Sequence, residues 1–162
     1  MSLSRYMYWI TDNVCGGPIP HSREDYEYLR SIGISVIVSL VEEWEYEAYT
    51  SLSESEVREL VKNLGMLLVR CPTPDGFAPP EDKLLELVKL LDEYDREGRK
   101  VYVHCVGGMG RTPTVLACFL VYRGYTAEDA LRRVNEVNPE MSITDEQYYA
   151  VKAFELLLRR TR

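Results

Sequence analysis

The chain has 162 residues, with 19 Lys+Arg against 26 Asp+Glu and a net charge of −7 at pH 7. This length suits one domain, residues 1–162, burying a core without disulfides or metals, and 46% hydrophobic with 28% charged residues excludes a disordered chain. The acidic balance argues against a nucleic-acid binder, which needs a basic footprint, and against docking on anionic membranes. The longest apolar stretches, residues 34–41 and 115–122, fall short of the ~20 residues of a spanning helix. The opening residues lack the apolar run and small-residue cleavage site of a secretion signal. Cys15, Cys71, Cys105 and Cys118 have no metal-like spacing, so a cytoplasmic protein with reduced thiols is expected.

In chain order, residues 6–10 read as a short strand, followed by a turn at Cys15-Gly16-Gly17-Pro18. Ser22 with Asp25 starts a helix that runs to Ile32. Residues 34–41 are β-branched and apolar, the pattern of a buried strand. Residues 42–49 are acidic and aromatic and read as a loop or short helix. Ser53 with Glu56 caps a helix to Leu64, and residues 66–71 form the next buried strand. Turn chemistry follows at Thr73-Pro74-Asp75-Gly76. Pro79-Pro80 opens a helix with Leu84, Leu87, Val88 and Leu91 on one face, and residues 100–105 form a further strand. A Gly-rich loop leads into an apolar helix over 111–123, and helices over 126–138 and 145–160 finish the chain. This alternation predicts an α/β fold: a largely parallel central sheet of about four or five strands flanked by about six helices. Ligands of such sheets bind at the carboxyl ends of the strands, where the Gly-rich loop lies.

That loop reads His104-Cys105-Val106-Gly107-Gly108-Met109-Gly110-Arg111-Thr112. A short loop between a strand and a helix N-terminus turns successive N–H groups inward, and the helix dipole adds positive potential. Glycines allow the unusual backbone angles and the close approach of an anion. Arg111 can take two phosphate oxygens with its planar fork. Cys105 sits at the base of this nest, where an electropositive setting favours thiolate over thiol. A thiolate beneath an anion site is suited to attack on phosphorus. Thr112 is placed to donate its hydroxyl to that thiolate.

The pattern His-Cys-x-x-Gly-x-x-Arg-Thr resembles the active-site motif of the cysteine-dependent protein-tyrosine and dual-specificity phosphatases. Cys105, Gly108, Arg111 and Thr112 fill its positions. The Met7-Tyr8-Trp9-Ile10 segment and the Pro74-Asp75-Gly76 turn are similar to the small archaeal members, and the resemblance spans the whole chain. It implies a protein-tyrosine-phosphatase-like fold and a phosphocysteine intermediate. Cys105 is then the nucleophile, with Val106, Gly107, Gly108, Met109, Gly110 and Arg111 binding phosphate and His104 supporting the loop. Asp75, thirty positions before Cys105, takes the place of the general acid, with Asp82 as the fallback. Gln147 either places the hydrolytic water or closes a Thr144-x-x-Gln147 capping box. The resemblance also raises a Cys71–Cys105 disulfide as a protective pairing, against a bland reading of Cys71 as a strand-end thiol. No metal or organic cofactor is required.

The variable loop positions carry no charge, which argues for a substrate with one phosphate. Trp44 and Tyr46 are candidates to stack on a phosphotyrosine ring; the alternative is an amphipathic surface helix. The chain is short for the insertions of large tyrosine-specific enzymes, so phosphotyrosine, phosphoserine and phosphothreonine in proteins are the expected substrates of a monomer. Alternatives are a phosphatase of inositol phosphates or nucleotides, and a phosphate-binding pseudophosphatase adaptor. Gly107 and Gly110 exceed what the motif requires and are expected to let the loop leave its phosphate-binding shape.

Overall fold

The structure is a computed structural model and describes residues 2–161. Five strands form one sheet in the order β1-β2-β5-β3-β4. They are β1 (Tyr8–Trp9), β2 (Val14–Gly17), β3 (Ile34–Ser39), β4 (Leu67–Arg70) and β5 (Lys100–His104). Only the β1–β2 pair is antiparallel. Seven α-helices accompany them: α1 (Arg23–Ser31), α2 (Glu43–Tyr49), α3 (Glu54–Asn63), α4 (Glu81–Arg96), α5 (Arg111–Tyr122), α6 (Ala127–Val137) and α7 (Asp145–Thr161). A 3-10 turn, Leu3–Tyr6, precedes β1.

A parallel sheet is stable when both faces are covered, and strand alternation sorts the side chains between them. Val36, Val38, Val101 and Val103 pack with residues of α4, α5, α6 and α7, whereas Ile37 and Tyr102 pack with α1 and α3. Ile34 has the parity of Val36 but lies with α1 and α3. A register shift between Ile34 and Val36 inverts the alternation there. Helix α5 is buried along nearly its whole length, which explains why its sequence is apolar on every side. Among the described residues, no helix is long and apolar enough to cross a membrane.

Two sequence expectations need correction. The predicted strand over residues 6–10 shortens to Tyr8–Trp9. The Cys15-Gly16-Gly17 segment, expected as a turn, is strand β2, paired in parallel with β5. Its glycines serve close packing rather than a turn. A Cβ at Gly16 would lie 2.8 Å from Thr112 Cγ2, and one at Gly17 would lie 2.5 Å from Tyr102 Oη.

The register brings Gly17, Ser39 and Arg70 into line with His104 at one edge of the sheet: Gly17 and Ser39 face His104, and Ser39 faces Arg70. The segments leaving these strand ends therefore share one rim, as expected for a parallel sheet. They include the loop after His104 and the Asp75 turn.

Candidate active site

The loop from Cys105 to Gly110 is anchored from outside by its carbonyls. Val106 O accepts from Ile19 N at 2.9 Å, and Met109 O accepts from Ser142 N at 2.8 Å. Gly108 O accepts from Tyr8 Oη at 2.8 Å and from Asn138 Nδ2 at 3.2 Å. Gly110 O is taken by Thr114 in the first turn of α5. His104 Nδ1 lies 3.0 Å from Cys105 O. In a trans peptide the N–H points opposite the carbonyl, and no peptide bond among the described residues is cis. The amides that follow these carbonyls therefore face the inside of the loop, toward the start of α5. Gly108 N–H completes the ring and lies 3.3 Å from Cys105 Sγ. This is an anion nest with a thiol at its floor.

Gly108 has φ +76°, in the left-handed region. A Cβ there would lie 2.6 Å from the Gly17 carbonyl carbon and 2.9 Å from Pro18 N. Gly107 has no such constraint, since its Cβ would meet only the mobile end of Met109 at 3.1 Å.

Arg111 is buried and its donors are divided. Nη1 donates to Glu45 Oε1 at 2.7 Å and to Thr73 O at 2.8 Å, while Nη2 donates to Glu45 Oε2 at 2.8 Å. A guanidinium carries five N–H donors. The two left over are on Nε and Nη2, the side-on edge of the fork, and Nε lies 3.8 Å from Asp75 Oδ1. That edge is free to take two oxygens of one anion. Burial works against the Glu45 carboxylate, but the Arg111 hydrogen bonds, the Glu42 backbone and the Arg111 charge outweigh it. Its pKa is held below the ordinary carboxylate range. Removing one partner of such a pair leaves a buried charge and costs about 3–5 kcal/mol.

Cys105, Arg111, Asp75, Gly76, Val106, Gly107, Met109, Gly110 and Gln147 line one pocket together with Glu45, Tyr49, Ser142 and Thr144. The structure thus brings together most of the residues that the sequence singled out. Asp75 is 87% exposed at the pocket mouth, and Asp82 lies in the first turn of α4. Thr112 is buried and its hydroxyl has no hydrogen-bond partner among the described residues, so the expected bond to the thiolate is not formed. Gln147 does cap α7, exchanging bonds with Thr144 at 3.0 and 3.1 Å. It also donates to Phe77 O at 3.1 Å.

The recognition aromatics need correction. Tyr46 is fully buried, hydrogen-bonded to Ser39 at 2.6 Å and stacked beneath Arg70, so it cannot reach a substrate ring. Trp44 is exposed but lies outside the pocket lining, with its ring 6.4 Å from Tyr49. Tyr49, 48% exposed, is the aromatic that lines the site. Cys71 lines a separate groove with Lys83 and Glu86, and both Cys71 and Cys105 are free thiols.

Sequence reasoning missed Glu45, Tyr8 and Asn138. A glutamate among acidic neighbours carries no local mark of a partner 66 positions away. Asn138 beside Pro139 reads as a helix stop. Tyr8 is the one with a signal, an aromatic in a strand beside glycines. Burial and the nearby Cys105 push its pKa far up, so its hydroxyl remains a donor.

Comparison with known proteins agrees with this geometry. A family described as "Polymorphic toxin system, DSP-PTPase phosphatase" matches residues 16–125. The chain belongs to this DSP-PTPase phosphatase family, whose chemistry is cysteine-based. It is 28% identical to phosphatidylglycerophosphate phosphatase PTPMT2 of Arabidopsis thaliana over 95% of this chain and 65% of the relative. It is 29% identical to protein tyrosine phosphatase domain-containing protein 1 of Mus musculus over 97% of this chain, but that covers only 22% of the mouse protein. The chain thus spans less than two thirds of these relatives' length. A crystal structure of Tk-PTP in the active form superposes with a TM-score of 0.81 at 30% identity, covering 93% of this chain and 96% of the other.

Two consequences can be measured. Gly108→Ala should abolish oxyanion binding, whereas Gly107→Ala should bind tungstate at least as tightly as wild type and gain about 0.4–1 kcal/mol of stability. Equal tungstate binding by both variants in calorimetry would contradict the packing described. Burial holds the His104 imidazole at a pKa of about 4, against 6.5 ordinarily. Because the folded value is depressed, the unfolded chain binds the extra proton. The stability from the neutral ring is therefore complete above pH 6.5 and is lost as pH falls toward 4, about 3 kcal/mol in all. The urea-unfolding free energy of wild type relative to His104→Asn should fall by that amount between pH 7 and 4. A constant difference would mean that the folded ring takes up its proton as readily as the unfolded one.

Proposed function

We propose that the protein is a phosphatase that hydrolyses phosphotyrosine, and also phosphoserine and phosphothreonine, in proteins through a phosphocysteine intermediate. The observation that carries this reading is the convergence of the Cys105 thiol, the inward amides and the free edge of Arg111 on one pocket, with Asp75 at its mouth.

In the first step the Cys105 thiolate attacks phosphorus and the bond to the leaving oxygen breaks. Asp75 gives that oxygen its proton. The loop amides and Arg111 bind the equatorial oxygens, whose charge they stabilise most in the transition state. In the second step water attacks the phosphocysteine, the Asp75 carboxylate takes the water's proton, and the thiolate departs. Thr112, buried with an uncommitted hydroxyl, is suited to donate to the departing sulfur. His104 supports the loop through the Cys105 carbonyl.

Among the described residues Arg111 is the only cation lining the pocket, which supports a substrate with a single phosphate. Tyr49 at the rim supports an aromatic leaving group. A second reading, a small-molecule or lipid phosphate monoester, is supported by the likeness to the Arabidopsis phosphatidylglycerophosphate phosphatase. The chemistry needs no metal, and the thiol keeps the reaction within the protein's own residues.

Phosphate release from matched phosphotyrosine, phosphothreonine and phosphoserine peptides, and from phosphatidylglycerophosphate in mixed micelles, tests these readings. Turnover of the peptides should survive EDTA and vanish in Cys105→Ser. Asp75→Asn should lower it by roughly 10²–10⁴. Faster release from the lipid would favour the second reading. Binding of phosphopeptide without release would make the protein an adaptor.

A further inference from the structure

The capping box at the start of α7 uses only part of its hydrogen-bonding capacity on the helix. Thr144 Oγ1 accepts from Gln147 N at 3.1 Å, and its own proton goes to Gly76 O at 2.7 Å. Gln147 Oε1 accepts from Thr144 N at 3.0 Å, and its Nε2 donates to Phe77 O at 3.1 Å. Two successive carbonyls, those directly after Asp75, are thus held by the side chains of one helix cap.

The Asp75 turn needs such support. The turn closes on itself through one bond, Phe77 N to Pro74 O at 3.1 Å, and its carboxylate is 87% exposed. Its leading side is tied where Thr73 O meets Arg111. Its trailing side is tied by Thr144 and Gln147. The same stretch of chain also grips the phosphate loop, through Asn138 on Gly108 O and Ser142 on Met109 O. Gln147 lies directly over that loop: a Cβ at Gly110 would be 3.4 Å from its Oε1. Residues 138–147 therefore hold the proton donor and the phosphate site against one common frame.

We propose that Thr144 and Gln147 are positioning residues that latch the Asp75 turn over the pocket and so set proton transfer to the leaving oxygen. The proposal rests on the reading of Asp75 as general acid. Neither residue touches substrate for this purpose. The latch moves no bond of its own, and it fixes the distance across which Asp75 gives its proton.

A hydroxyl can cap and donate at once, whereas an ionised carboxylate can only accept. Thr144→Asp therefore keeps the cap on Gln147 N but loses the bond to Gly76 O, and Thr144→Ser keeps both. The readout is the ratio of kcat/KM for phenyl phosphate to that for 4-nitrophenyl phosphate, since only the poorer leaving group depends strongly on the acid. Thr144→Asp should lower this ratio at least about tenfold, inside the ~10²–10⁴ that general acid catalysis supplies, and flatten the limb of the pH profile that belongs to the acid. Its melting temperature should stay near wild type, and Thr144→Ser should keep the wild-type ratio. An unchanged ratio in Thr144→Asp, alongside a collapse in Asp75→Asn, would overturn the latch and leave the acid in place. An unchanged ratio in Asp75→Asn itself would overturn the acid assignment and the latch together.

Discussion

The outward anchoring of the carbonyls between Cys105 and Gly110 is the constraint on which the site depends. A peptide that turns its oxygen out turns the next N–H in, so the partners outside the loop decide what the inside offers. Those partners come from far apart in the chain: Ile19 after β2, Tyr8 on β1, and Asn138 and Ser142 before α7. The sheet order brings β1 and β2 beside β5, and the packing of α6 and α7 on α5 brings the rest. The bonds that hold the nest in shape therefore lie outside it, in the surrounding fold.

Arg111 extends this logic to the charge. Its end-on edge is spent on Glu45 and its Nη1 also holds Thr73, which leaves the side-on edge toward the pocket. Glu45 in turn closes the capping box of α2, accepting from Glu42 N at 2.8 Å. One carboxylate thus fixes both the start of a helix and the orientation of the Arg111 fork. Through Thr73 the same guanidinium also holds the strand exit that leads to Asp75. Glu45, Arg111 and the strand exit at Thr73 are thus joined by hydrogen bonds rather than by proximity alone.

The chemistry was legible where it is contiguous in sequence. Cys105, Gly108 and Arg111 lie on one loop, and the apolar strand before it and apolar helix after it announced its place at a strand end. The β-branched strands 34–39 and 100–104 were equally plain. What stayed hidden was set by partners distant in the chain. Cys15-Gly16-Gly17-Pro18 has the local look of a turn, and only the neighbouring β5 makes Val14–Gly17 a strand. The phase of α2 follows from the Glu45–Arg111 pair, which sends Tyr46 into the core and leaves Tyr49 at the pocket, so aromatic composition alone pointed to the wrong ring. Thr144 and Gln147 were readable as a cap, but their bonds to Gly76 and Phe77 span about seventy positions and leave no trace in local sequence.

The most direct test of the anchored-loop account is the affinity for tungstate, a tetrahedral oxyanion that fills the nest without turning over. Calorimetric titration of wild type and of a Tyr8→Phe, Asn138→Ala double variant isolates the two bonds on Gly108 O. Two hydrogen bonds of about 1 kcal/mol each predict a loss of at least about tenfold in affinity, with the fold intact by circular dichroism. Unchanged tungstate affinity in the double variant would contradict the claim that outside anchors hold the phosphate site in shape.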